Sequence, residues 1–413
     1  MRPRRSVAVA VSGGRDSMAL LHCTLRAAQP LGVDVIALHV HHGLQPDADA
    51  WAEQVERTCA RWSVAFAMQR LAGKPAKGES VEAWARLGRY RALAALAHAA
   101  GAGLVLLAHH RRDQAETFLL QALRGGGPAG LAAMPGRIQR DGIVWARPWL
   151  GNAQETIAAY ARRHRLRFVD DPSNADRRYA RSCLRIDVMP SLRRAFPEAE
   201  SSLAASAARS AEAQAVLSEV AQADLAALRD GAALRLTPWR TLSPARQRNA
   251  LRAWLRERLG RGASQAVIER LMDELPGAGP AQWACDGATL RRYRGRLEAL
   301  AQPDAAVALS PSAQGRALRM AAVEQGGISL SLLRDAQWRA RTGGERFQRA
   351  PGTPPRSLKK QFQAAGVPAW QRDAPLLYSS DGRLLFVPGL GIDARALAAP
   401  GEPQRALSWA RQR

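Results

Sequence analysis

The apolar run Val7–Val11 passes directly into Ser12-Gly13-Gly14-Arg15-Asp16-Ser17, and that loop into the helical pattern Met18 to Ala28. A continuous run of this length reads as a strand buried on both faces. A buried strand that turns through two glycines into a helix opens a βα unit. The alternation continues down the chain. Val33–Val40 is a second strand-like run, and Trp51, Val55, Cys59 and Trp62 follow at helical spacing. Val64, Phe66 and Met68 alternate as in a third strand, and Ser80 reads as the N-cap of a helix through Ala99. Leu104–Ala108 reads as another buried strand, followed by a helix around Asp113–Arg124. Such alternation predicts a doubly wound parallel sheet, with ligands at the carboxyl ends of its strands. Those ends carry Ser12–Ser17, His39–Gly43 and His109–Glu116, so three site segments are expected along one sheet edge.

Past about residue 195 the character changes. Residues Glu198 to Leu228 are Ala-rich and helical, and Ser243-Pro244 opens a helix carrying Leu251, Trp254, Leu255 and Leu259. Trp239, Trp254 and Trp283 are expected in a core, and a short basic hairpin within Thr289–Leu300. The stretch Gln302–Gln314 reads as a linker. Beyond Gly327, aromatic and β-branched residues between Gly/Pro turns indicate a small mixed domain. The expected fold class is α/β: a Rossmann-like parallel sheet over residues 1–195, a mainly helical domain over 196–302, and a small mixed α/β domain over 320–413. A chain of 413 residues suits two or three domains.

Charge narrows the partner. Lys+Arg number 60 against 36 Asp+Glu, a formal net charge of +24, and all but four of the cations are Arg. Such a surface favours a polyanion. A membrane is disfavoured, because the apolar stretch Ala92 to Ala108 is broken by His98, Gly101 and Gly103. The basic N-terminus mimics a signal peptide, but its apolar run is too short for a signal core. The cysteines Cys23, Cys59, Cys183 and Cys285 are scattered without CxxC, which points to a reducing cytoplasm.

The glycine loop has chemistry of its own. Gly13 and Gly14 let backbone N–H groups approach an anion, and the helix N-terminus behind them adds partial positive charge. Ser12 and Ser17 are hydroxyl donors, and Arg15 and Asp16 complete the loop. Neither the GxxxxGK[ST] nor the GxGxxG spacing is present, so the reading is a pyrophosphate cradle of another kind; the alternative is a plain strand–helix turn capped by Asp16 or Ser17. Asp113 and Glu116, at i and i+3, share a helix face behind His109 and His110. The pattern HHxxD lacks a zinc spacing. Arg86, Arg89 and Tyr90 set charge and an aromatic ring on one helix, either to meet phosphates or as a solvated face with Tyr90 in the core.

SGGRDS after VAVAV resembles the PP-loop of ATP pyrophosphatases. HVHHGLQ (39–45), EAWARLGRYRAL (82–93), LAHHRRDQAETFLLQALRGGGPAGLAAM (107–134) and DDPSNADRRYARSCLR (170–185) follow in order. With GGERF (343–347), SLKKQFQAAGVPAW (357–370) and FVPGLGID (386–393), they resemble the tRNA(Ile)-lysidine synthetases over nearly the whole chain. HVHHGLQ departs from the common HVNHGLR at His41 and Gln45, and Ser182 stands where Asn is usual.

The resemblance implies a ligase that adenylates the wobble cytidine of tRNA(Ile) with a CAU anticodon, releasing pyrophosphate, and then adds L-lysine at C2, releasing AMP. ATP and Mg²⁺ are implied. Asp16, His109, Asp113 and Glu116 are then the catalytic candidates, with Asp16 and Asp113 toward Mg²⁺. Ser12, Gly13, Gly14, Arg15, Asp16, Ser17 and His39 are candidates for ATP, and Arg86, Arg89, Arg181, Arg185, Lys359 and Lys360 for tRNA. A homodimer is allowed. The alternatives are a PP-loop tRNA thiolase, against which CxxC is absent, a non-catalytic tRNA-binding protein, and an amidating enzyme for a small molecule, which the charge disfavours.

Overall fold

The computed structural model describes residues 6–43, 47–73, 81–169, 176–177, 180–277, 279–285, 287–301, 316–367 and 369–411. Gln45, the cap expected at Ser80 and the linker expected at 302–314 lie outside the described residues. The chain divides into two compact units, Met1–Glu219 and Val220–Arg413.

In the first unit, β1 (Ser6–Ala10) leads into α1 (Arg15–Ala28), β2 (Asp34–His41) into α2 (Ala48–Arg61), and β3 (Ala65–Arg70) is followed by α3 (Val81–Ala99). Next come β4 (Leu104–Leu106), α4 (Arg111–Leu123), the single turn α5 (Pro128–Leu131), β5 (Arg137–Arg140), β6 (Ile143–Ala146) and α6 (Gln154–Arg163). The sheet order is β3-β2-β1-β4-β6-β5, parallel throughout except for the edge strand β5. Because β1 is buried on both sides, its residues alternate between two cores. Ala8 packs with Leu93, Val105 and Trp145, while Val9 packs with Met18, Leu21, Val55 and Cys59. The apolar run of β1 is thus explained by two covered faces rather than one. The chain winds from β1 to β2 and β3 on one side, then crosses to β4 on the other. The crevice between β1 and β4 is therefore the topological switch point, where open α/β sheets hold ligands. The hairpin β5–β6 carried no sequence signal, since every residue of Arg137–Arg140 lies exposed and none marks a buried face.

The unit closes with α7 (Ala180–Cys183), a π turn over Leu184–Val188, α8 (Met189–Ala195) and the start of α9 (Ala199–Leu228). The unit boundary falls inside α9.

The second unit continues with β7 (Arg229–Asp230), β8 (Ala233–Arg235), α10 (Leu236–Arg240), α11 (Pro244–Leu259), α12 (Gln265–Glu274), β9 (Ala281–Cys285), β10 (Ala288–Tyr293) and β11 (Arg296–Ala301). The expected hairpin is β10–β11, and it belongs to a five-stranded antiparallel sheet, β7-β8-β11-β10-β9, that packs with the helices. Trp239, Trp254 and Trp283 lie in that core as expected. The last segment holds β12 (Arg316–Val323), β13 (Ile328–Ser329), α13 (Leu330–Arg334), β14 (Gln337–Arg339), β15 (Arg346–Phe347), β16 (Arg356–Ser357), α14 (Leu358–Ala364), β17 (Leu376–Tyr378), β18 (Leu384–Val387), β19 (Gly391–Ile392) and β20 (Gln404–Arg411). Its cores gather Phe347, Phe362 and Leu376 in one cluster and Ile328, Phe386 and Leu407 in another. Among the described residues no helix is long and apolar enough to cross a membrane.

Candidate functional site

The loop after β1 is shaped by its own hydroxyls. Ser17 Oγ donates to the Gly14 carbonyl at 2.9 Å and accepts from the Ser12 N–H at 3.2 Å, while the Gly14 N–H reaches Ser12 Oγ at 3.3 Å. Gly13 has φ +89°, a left-handed conformation that favours glycine, and a Cβ there would stand 3.3 Å from Val55 Cγ2. Its carbonyl accepts from the Val169 N–H at 2.9 Å. The turn is thus closed from two sides and delivers the N-terminus of α1, with its free N–H groups, to the crevice.

The loop after β4 enters the same crevice. His110 is the N-cap of α4, its ring almost fully buried, and its Nε2 lies 3.4 Å from Asp16 Oδ2 and 3.4 Å from Asp113 Oδ2. One imidazole therefore joins the carboxylates of two different βα units. Asp113 is anchored by the His110 backbone N–H at 3.0 Å, and Asp16 by Arg15 Nε at 3.0 Å. Burial works to raise the Asp16 pKa, but the contacts from His110 and Arg15 outweigh it and hold the carboxyl below its ordinary value. Asp16 is accordingly ionised at neutral pH. His109 behaves oppositely. Burial drives its pKa down to about 3, with Arg147, Arg89 and Arg181 adding to the effect against Asp113, so this imidazole is neutral.

Glu116 is fully buried and forms a bidentate pair with Arg185, at 2.8 Å to each guanidinium nitrogen; Arg181 Nε stands 3.4 Å from the same carboxylate. The pair ties α4 to the α7 segment. Arg181 also bonds Thr117 Oγ1 at 2.5 Å, and Arg185 lies 3.6 Å from Asp113. Of the four arginines singled out for RNA, Arg181 and Arg185 are therefore bound to acids at the crevice, and about a third of each side chain remains exposed. Arg89 is drawn inward, where burial works against its charge. Arg86 is exposed, its guanidinium 5.5 Å from the Tyr90 ring centre. His39 supports the frame: its buried ring donates through Nδ1 to the Val11 carbonyl at 2.8 Å, tying β2 to the end of β1. Ser182 is buried, and the buried His41 ring accepts from the Gly43 N–H at 3.2 Å. Lys359 and Lys360 lie exposed on α14 in the second unit.

Residue-type reasoning underrated His110 and passed over two others. Gln114 clamps the Met134 backbone from both amide atoms, at 2.9 and 3.0 Å, holding the segment after α4 in place. Arg147 is buried and donates to the Pro135 carbonyl and Tyr90 Oη. The signal available for His110 was its place just before a helix start; Arg147 had none.

The site's oxygens suit a hard divalent cation. Asp16 and Asp113 come from the first turns of two different helices to one place, and Mg²⁺ asks for only one or two carboxylates when phosphate oxygens and water fill the rest. Among the described residues no group of three or more His, Cys, Asp or Glu is arranged to cage a metal.

Three family models match in chain order: a PP-loop domain over residues 2–192, a TilS substrate binding domain over 234–298 and a TilS substrate C-terminal domain over 336–409. A tRNA(Ile)-lysidine synthase from Ralstonia nicotianae is 44% identical over 420 residues, covering 95% of this chain and 90% of its own. Those of Chromobacterium violaceum and Methylococcus capsulatus are 39% and 36% identical, covering 95% and 98% of this chain and 93% and 95% of theirs. A solved U34-tRNA thiolase from Methanococcus maripaludis aligns with half of the chain and 73% of its own at 14% identity and a TM-score of 0.44.

Proposed function

Because the chain belongs to the tRNA(Ile)-lysidine synthase family, we propose that the crevice where Asp16, His110 and Asp113 meet is the seat of its ATP-dependent chemistry. The protein is a ligase. It uses ATP to adenylate the wobble cytidine of tRNA(Ile) with a CAU anticodon, releasing pyrophosphate. Lysine then displaces AMP at C2, giving lysidine and changing the tRNA identity from methionine to isoleucine.

In this reading the chain's own groups take distinct parts. The departing pyrophosphate gains negative charge, and the N–H groups at the start of α1, held by the Ser12–Ser17 turn, are aimed at that charge before the reaction begins. Asp16 and Asp113 would hold Mg²⁺, which when bound neutralises phosphate charge. His110 fixes the separation of those carboxylates. His109 stays neutral across physiological pH, and a base whose conjugate acid is this weak does not retain a proton taken from an amine; its role is to orient a substrate group. Arg181 and Arg185, neutralised in part by Glu116, offer their exposed portions to RNA, as do Arg86 and the Lys359–Lys360 pair. Glu116 itself holds those arginines in position.

The observation that carries this reading is the convergence of two carboxylates from two βα units on the His110 ring beside a glycine loop. The direct test combines the protein with unmodified tRNA(Ile) bearing CAU, ATP, Mg²⁺ and labelled lysine. Label in the tRNA, with AMP and pyrophosphate released, is expected; sulfur transfer or binding without turnover would sink the reading. Asp16→Ala is expected to abolish pyrophosphate release while leaving tRNA binding largely intact.

A further inference from the structure

Beside the glycine loop lies a cavity of about 280 Å³ whose lining includes Arg15, Arg162, Arg165 and Phe168. Three observations single it out. First, the run Arg162-Arg163-His164-Arg165-Leu166-Arg167 puts four exposed guanidiniums into six residues at the end of α6, and none of the four forms an ion pair with a described residue. Elsewhere in this unit several arginines are matched to acids, as Arg111, Arg112 and Arg193 are to Glu200 and Arg181 and Arg185 to Glu116. Second, Phe168 is 37% exposed, although the neighbouring Val169 is hydrogen-bonded to Gly13 of the loop. An aromatic ring is thus held in solvent immediately next to the phosphate cradle. Third, Arg15 belongs to both places: it lines the cavity and pairs with Asp16.

We propose that this cavity seats a single-stranded nucleotide adjoining the reacting cytidine, with its base on Phe168 and its phosphates on Arg162 and Arg165. The inference rests on the tRNA reading above. A polynucleotide whose target base enters the β1/β4 crevice must carry its neighbouring nucleotides across the surface beside the loop. A stacking ring flanked by unmatched cations is the usual means of holding an unpaired nucleotide without reading its sequence. The site therefore positions the anticodon strand and leaves base identity to be read elsewhere. ATP phosphates are a poorer occupant, because the loop amides, the α1 N-terminus and Arg15 already supply their positive charge.

The test uses the full chain with unmodified tRNA(Ile) and, separately, ATP alone. Arg162→Ala/Arg165→Ala is expected to weaken tRNA binding and to flatten its salt dependence by roughly 0.7 per lost phosphate contact, about 1.4 in all. Arg162→Lys/Arg165→Lys is expected to keep most of the slope. Phe168→Ala is expected to weaken tRNA binding by roughly 5- to 100-fold, as loss of one stacked base does, and Phe168→Trp to restore it. ATP affinity without tRNA stays unchanged in every variant, which also reports a folded site. Unchanged tRNA affinity and slope, or a loss of ATP affinity matching the loss for tRNA, would overturn the proposal. Wild-type protein that modifies tRNA while the variants match it removes only this subsite; wild-type protein that binds no tRNA removes the broader reading with it.

Discussion

His109 and Gly13 show how single residues are constrained by what surrounds the crevice. His109 is neutral because burial and three nearby guanidiniums oppose its protonation, with a folded-state pKa of about 3 against an ordinary 6.5. Between those two values the unfolded chain binds a proton that the folded chain does not, so stability rises with pH through that window and is fully present above it. His109→Gln is expected to flatten the acid limb of unfolding temperature against pH between about pH 6.5 and pH 3; an unaltered limb would deny the residue its buried, neutral state. Gly13 is held at φ +89° with Val55 against it, so Gly13→Ala adds strain of about 1–3 kcal/mol at the turn that aims the loop amides. Weaker ATP binding with little change in tRNA affinity is the expected result, measured by titration of each ligand separately.

Elements carry the next level of control. Helix α4 works as a clamp: its N-cap His110 spans two carboxylates, Gln114 grips Met134, and Glu116 holds Arg181 and Arg185. Three side chains within seven residues thus fix three separate segments, and for that reason a short polar helix is buried on its working face. In the second unit, α11 is held by apolar packing instead. Ala250, Leu251, Trp254 and Leu255 enter a core shared with α12 and the antiparallel sheet, while Arg246 reaches out to pair with Asp224. Trp254→Ala is expected to lower unfolding free energy by about 3–5 kcal/mol through the cavity it leaves, read in urea denaturation. Lysine transfer at low temperature would fall only so far as the second unit loosens.

At the scale of the whole molecule, the charge of +24 has a substrate that explains it. Residues 331–413 carry 14 Lys+Arg against 6 Asp+Glu, and Lys359 and Lys360 stand exposed side by side on α14. Lys359→Ala/Lys360→Ala is expected to weaken tRNA binding and reduce the salt slope by roughly 1 to 2, with pyrophosphate release at saturating tRNA preserved; an unchanged slope would remove these lysines from the interface. By itself the sequence determined the parallel strand–helix order, the turn at Gly13-Gly14, the segments at the strand ends and the family, because local periodicity and contiguous motifs are written within a few residues of each other. Tertiary structure decided which of those residues are free to act. Arg181 and Arg185 lie more than sixty residues along the chain from Glu116, yet both contact its carboxylate, and His39 turns out to be a strut beneath the loop. His110, whose neighbour His109 looked the better candidate, became the bridge between Asp16 and Asp113 only when β1 and β4 were laid side by side. Ion pairing and burial depend on neighbours distant in the chain, and a residue's type does not reveal whether its charge is already spoken for.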